Sequence, residues 1–230
     1  HDVNGEVGMP EDPEIDVIRH LLLARPRPAS PAARRERMDG FGRRYTVPPD
    51  VSITPVSAGG VPAEWTTTPC ADPERVLIFL HGGGYMPGSL DSHRHVVAQA
   101  GREAKARTLA LDYRLAPEHP FPAALDDAIA GYRFVLQQGI APNRIVLSGE
   151  SAGGGLALAT LLRLREAGEA LPACVWLSSP WVDLALSGGS LSTKAAEDPL
   201  LQEPYLSELT QAYLNGADPR DPLISPLYAD

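Results

Sequence analysis

Short apolar runs alternate with amphipathic stretches along most of this chain. Arg75–Leu80 (RVLIFL) is continuously apolar after its first residue and carries Val, Ile and Phe, as a strand buried on both faces would. Thr108–Leu111, Arg144–Leu147 and Ala173–Leu177 repeat that character. Between them the spacing turns helical, over about Ser92–Lys105, over Ala123–Gln137 and from about Gly155 onward. Strands alternating with helices predict an α/β fold, a mostly parallel sheet with helices on both faces. Val51–Val56 and Val61–Thr67 flank Ala58-Gly59-Gly60 and predict a hairpin. Nearer the start, Pro13–Ala24 places Ile15, Ile18, Leu21 and Leu22 at helical spacing, and Pro26, Pro28 and Pro31 end that helix. Ala32–Met38 predicts a second, short basic helix. Asp126 and Asp127 fall in the first turn of the Ala123–Gln137 helix, where carboxylates oppose its dipole. Leu184–Ala217 is less regular, with Gly188-Gly189 and then an amphipathic stretch at Tyr205–Leu214.

Two of the strand ends carry chemistry. Arg144–Leu147 runs into Gly149-Glu150-Ser151-Ala152-Gly153, with a helix after it. G-x-S-x-G between a strand and a helix is a nucleophile elbow: small residues permit a tight turn that lifts the serine hydroxyl above the sheet. The helix that follows aims its first N–H groups at a developing negative charge. Arg75–Leu80 runs straight into His81-Gly82-Gly83-Gly84-Tyr85. Successive glycines can turn their N–H groups outward and donate to an oxyanion, with a third donor beside the serine at Ala152. A plain glycine-rich turn competes for HGGG alone; the elbow downstream weakens that reading. Asp112–Pro122 (DYRLAPEHPFP) crowds its prolines into a rigid loop after a strand. An Arg114–Glu118 pair would pin it, and a brace for the neighbouring glycine loop is preferred to direct substrate contact.

On five motifs the chain resembles the bacterial hormone-sensitive-lipase-like carboxylesterases, of α/β-hydrolase fold. They are HGGGY at His81–Tyr85, DYRLAPEHPFPAALDD at Asp112–Asp127, GESAGG at Gly149–Gly154, SPWVDL at Ser179–Leu184 and DPLISPLYAD at Asp221–Asp230. The resemblance runs from roughly Pro10 to the last residue. It implies that Ser151 is the nucleophile, that Gly83, Gly84 and Ala152 supply the oxyanion-hole N–H groups, and that His81 orders the loop. It also implies a helical cap in two pieces, residues 1–45 and 184–217, around a core at 46–183, with 218–230 returning to the core. Tyr85, Met86, Leu184, Leu186, Tyr205 and Leu209 are candidate walls of the substrate pocket, though each also fits ordinary core.

The remaining machinery is not in these residues. A serine esterase needs a base for the Ser151 proton and an acid to orient that base, in the chain order Ser, Asp or Glu, His. His1, His20, His81, His93, His95 and His119 all precede Ser151. By the resemblance, the chain stops before the last two strand–helix units, and Asp183, Asp198, Asp218, Asp221 and Asp230 are not the acid. Three explanations compete: a fragment of a complete esterase, a truncated gene product, or an unrelated base such as His93, His95 or His119. The first is preferred; the start at His1-Asp2-Val3 without Met looks processed or tag-derived. His93 and His95 are expected to cap or decorate a helix start.

Composition narrows the partners. A formal net charge of −9 over 230 residues argues against nucleic acid and anionic membrane surfaces. Cys70 and Cys174 are the two cysteines; with no signal peptide and no bilayer-length apolar run they read as free thiols of a cytoplasmic protein, Cys174 in a buried strand. No metal-ligand spacing stands out. The expected function is hydrolysis of small short-chain acyl esters through an acyl-enzyme on Ser151, without a cofactor. A non-catalytic small-molecule binder, or an amide or carbamate hydrolase on the same site, is the alternative. A homodimer through elements absent from this chain is compatible with the resemblance.

Overall fold

The computed structural model describes residues 13–24 and 26–230. The start at His1–Val3 and the first residues of the resemblance, from Pro10, lie outside them, as does Arg25. Among the described residues six strands form one sheet in the order β1-β2-β4-β3-β5-β6. They are β1 (Ser52–Ala58), β2 (Val61–Thr67), β3 (Asp72–Leu80), β4 (Ala106–Leu111), β5 (Ile145–Glu150) and β6 (Cys174–Ser178). β4, β3, β5 and β6 are mutually parallel, while β2 runs antiparallel to β1 and β4. The hairpin turns at Gly59 and Gly60, both at positive φ, which glycine adopts without Cβ strain.

Among the described residues seven α-helices accompany the sheet: α1 (Pro13–Leu23), α2 (Pro31–Gly42), α3 (Leu90–Ala104), α4 (Ala123–Gln137), α5 (Ala152–Glu166), the short α6 (Ser190–Thr193) and α7 (Glu203–Leu214). Alternation along β3 shows why both faces need helices. Val76, Ile78 and Leu80 join the main core with residues of α4 and α5, such as Tyr132 and Leu156. Leu77 and Phe79 point the other way, to a smaller core with Val97 of α3. The five-residue apolar run Val76–Leu80 is that of a parallel strand covered on both faces.

Several expectations need correcting. α5 begins at Ala152, directly after the serine, rather than near Gly155. α2 continues to Gly42 and α3 starts at Leu90, because Ser89 and Ser92 form a reciprocal capping box. His93 and His95 therefore do not cap that helix. Cys174 is exposed rather than buried: β6 is the last strand of the described sheet, and its residues alternate between exposed and half-buried. Ile15, Ile18 and Leu21 of α1 are more than 40% exposed, so that apolar stripe faces outward among the described residues. Arg114 does not pair with Glu118. Its guanidinium binds Asp127 at 2.7–3.0 Å, and Asp127 also accepts from the Arg114 N–H at 2.8 Å. Asp127 is thus a buried partner in the Asp112–Pro122 loop, and Asp126 alone serves the first turn of α4.

Candidate active site

Parallel strands deliver their chemistry at their C-terminal ends, where β3 and β5 lie side by side with Leu80 opposite Gly149. Beyond Gly149 the chain turns through Ser151 at φ 52° and ψ −117°, a left-handed conformation for a residue with a side chain. Backbone bonds hold that turn. The Ser151 N–H donates to the Ser178 carbonyl at 3.0 Å, and its own carbonyl accepts from Gly154, Gly155 and Trp181 at 2.8–3.1 Å. A side chain at Gly149 would strike the Gly153 backbone, and one at Gly153 would strike the Leu80 carbonyl. The glycines of G-x-S-x-G are set by backbone proximity on both sides of the serine. The half-buried Ser151 makes no side-chain capping bond to its helix, so its hydroxyl is not tied down at the start of α5.

After β3, Gly83, Gly84 and Tyr85 take positive φ in succession, at 117°, 66° and 63°. Among the described residues neither the Gly83 nor the Gly84 N–H donates a backbone hydrogen bond, whereas Gly83 accepts from the Met86 N–H at 3.4 Å. Leu209 of α7 closes over Gly84 so tightly that a Cβ there would overlap its Cδ1. Ala152, the third proposed donor, is buried at the first position of α5.

A buried histidine pair underlies these loops. His81 is 2% exposed and stacks on Tyr113, with ring centroids 4.2 Å apart. Its Nδ1 lies 2.9 Å from the Gly82 carbonyl, so Nδ1 carries the proton and donates; Nε2 has no partner among the described residues. Burial, with the nearby His93 adding to it, lowers the His81 pKa to about 3. The Tyr113 hydroxyl donates to the His81 carbonyl at 2.7 Å. His81 is therefore neutral and packed into the loop. His93 is also buried; its Nε2 is 3.4 Å from Oε2 of Glu150, the residue before Ser151, and its Nδ1 is 2.8 Å from Ser92 Oγ. The Glu150 carboxylate fills the space a side chain at Gly82 would need. Among the described residues no hydrogen bond joins Ser151 to His95 or His119: His95 lies against Tyr45 with ring centroids 5.2 Å apart, and His119 is exposed on its loop.

The six candidate wall residues divide. Leu209 packs onto Gly84, and Tyr85, the next residue, stacks 3.8 Å from the Tyr213 ring. Met86 and Tyr205 share Arg34, whose Nη1 is 3.7 Å from Met86 Sδ and whose guanidinium carbon stands 5.4 Å above the Tyr205 ring. Leu184 is buried in the main core, and Leu186, at φ 55°, is only partly buried. Both follow Asp183, which bonds Ser187 and the Tyr228 hydroxyl and has its pKa lowered by those bonds against the opposing effect of burial. Sequence reading passed over Arg34 and Arg35 of α2. Arg34 pairs with Glu208 of α7 at 2.9 Å, and Arg35 pairs with Glu118 at 2.7 Å. Their partners lie far along the chain, where no local pattern can point to them. Among the described residues no cluster of three or more His, Cys, Asp or Glu side chains could hold a metal ion, and no helix is long and apolar enough to cross a membrane.

Comparison with known proteins agrees with this arrangement. Residues 77–230 match a family described as having the alpha/beta hydrolase fold. An acetyl-hydrolase from Streptomyces hygroscopicus is 44% identical over 224 residues, 95% of this chain and 73% of that protein. An esterase from Acinetobacter venetianus is 36% identical over 202 residues, 87% of this chain and 66% of that protein, so this chain spans just under two thirds of it. The crystal structure of an esterase from the bacterial hormone-sensitive lipase (HSL) family superimposes with a TM-score of 0.91 at 40% identity, over 96% of this chain and 75% of that one. With that fold, those motifs and those relatives, the chain belongs to the hormone-sensitive-lipase-like family of carboxylester hydrolases.

Proposed function

We propose that the protein hydrolyses small short-chain acyl esters through an acyl-enzyme on Ser151. One observation carries the reading: a serine at positive φ at the start of α5, beside a glycine loop whose Gly83 and Gly84 N–H groups have no backbone acceptor. The Ser151 oxygen adds to the ester carbonyl and its proton passes to a base. The carbonyl oxygen becomes an oxyanion bonded by the Gly83, Gly84 and Ala152 N–H groups. Collapse releases the alcohol, which takes the proton, and water then cleaves the acyl-enzyme in the same two stages. Histidine absent after Ser151, and relatives longer than this chain, support a base and acid supplied outside these 230 residues. Similarity to the acetyl-hydrolase from Streptomyces hygroscopicus, at 44% identity, supports a short acyl group. Helices α2 and α7 form part of a cap over the glycine loop.

The test is hydrolysis of a chromogenic acetate or butyrate ester by the complete protein, with the base and acid expected outside these 230 residues. Ser151→Ala should lose at least about a thousand-fold in kcat and all labelling by a fluorophosphonate. Unchanged turnover in that variant overturns the assignment. Turnover of an anilide or carbamate but no ester would reassign the site to amide or carbamate hydrolysis, and tight binding without turnover would make it a receptor.

A further inference from the structure

Arg35 lies on α2, outside both the elbow and the glycine loop, yet its guanidinium binds the residue that ends the glycine loop's turn and the loop after β4. Nε donates to the Met86 carbonyl at 2.9 Å and Nη2 to the Ala116 carbonyl at 2.9 Å. Nη1 and Nη2 also grip the two oxygens of Glu118, at 2.9 and 2.7 Å. That fork holds the Glu118 carboxyl down to about 2. Its two carbonyl acceptors are already linked through the backbone, because the Ala116 N–H donates to the Tyr85 carbonyl at 2.8 Å. Arg35 therefore closes a ring through Met86, Tyr85 and Ala116. The residues just before Met86 are the three in succession at positive φ, and such a run persists only when its surroundings over-determine it.

We infer that Arg35 is a positioning residue for ester hydrolysis: by fixing the Met86 and Ala116 carbonyls it holds the Gly83 and Gly84 N–H groups where an oxyanion forms. The inference rests on the esterase reading above and adds that α2 is coupled to chemistry, not only laid over it. Charge alone does not suffice, since two carbonyls and a carboxylate on three sides require the planar fork of arginine. Lysine can reach one of the three at a time.

In the complete protein, with the base and acid expected outside these 230 residues, Arg35→Lys and Arg35→Gln should each lower kcat on a short-chain ester about ten-fold or more, with KM within about two-fold, because donors that stabilise only the transition state are displaced rather than lost. Glu118→Gln keeps both carbonyl bonds and should cost less than about three-fold in kcat. Assays run well below each variant's melting temperature separate this from general destabilisation. A second readout needs no activity: hydrogen exchange at the Met86 and Ala116 amides should accelerate in Arg35→Gln while amides of β3 keep wild-type protection. An active Arg35→Gln with unchanged kcat, or unchanged exchange at those two amides, overturns the inference. If the wild-type protein turns over no ester, the hydrolase reading fails, and the exchange result alone decides whether Arg35 holds the loop.

Discussion

Lowering the pH should destabilise this protein through His81 in particular. The imidazole is 2% exposed, donates from Nδ1 to Gly82, stacks on Tyr113 and leaves Nε2 without a hydrogen-bond partner among the described residues. A second proton at Nε2 would be a buried charge with no hydrogen-bond partner, 5.5 Å in ring centroids from His93. Its folded pKa is accordingly about 3, against 6.5 for the free side chain. The unfolded state therefore binds the extra proton first. The stability that neutral His81 permits is complete above about pH 6.5 and is lost as pH falls from there toward about 3. Over that window the slope is about 1.4 kcal/mol per pH unit, which gives a loss of ~2 kcal/mol at pH 5. Against a typical domain stability of about 5–15 kcal/mol, that shift is readily measured. Urea unfolding of wild type and His81→Asn at pH 7.5, 6 and 5 isolates the contribution, since asparagine can still donate to Gly82 but does not titrate. The difference between the two proteins should shrink by ~2 kcal/mol on going to pH 5. Parallel losses in both proteins, or His81 ring resonances titrating near 6.5 in the folded state, would refute the reasoning.

Two other substitutions test how the site is supported. Asp127→Ala removes a buried carboxylate that accepts three Arg114 contacts and should cost about 2 kcal/mol, short of the full value for a buried pair because Arg114 is half exposed; thermal unfolding reads it. Gly153→Ala drives a methyl group into the backbone carbonyls of Leu80 and His81, which cannot move independently of β3. It should cost on the order of 3 kcal/mol or prevent folding, visible as lost soluble yield or a lowered melting temperature, and wild-type stability would disprove the close approach.

Where chemistry and local pattern coincide, the chain is easy to read. The apolar run of β3, the glycines around Ser151 and the hairpin at Gly59-Gly60 each state their structure within about ten residues, because strand period and turn geometry are local properties. Arg34 and Arg35 are different. In the sequence they belong to an ordinary basic helix, and only the fold brings Arg35 to Glu118, eighty-three positions away. The Arg114–Glu118 pairing failed for a related reason: four residues apart is a helical spacing, but the segment is a loop, and Asp127 on α4 lies closer to the guanidinium. Cys174 and β6 misled because an apolar strand reads alike whether it is central or last in a sheet. α1 shows apolar helical spacing without a matching buried face among the described residues, so period alone did not locate its partner.

At the elbow, scaffold and reagent are separate things. The amide of Ser151 donates one backbone bond and its carbonyl accepts three, while its side chain caps nothing. The shape of the turn is therefore written in the main chain and in the glycines on either side, not in the hydroxyl that the turn presents. Such a position is evolvable in an unusual sense. Its reactive group can be exchanged or discarded with little consequence for folding, and a hydrolase and a binding protein can descend from one framework by altering what stands on it.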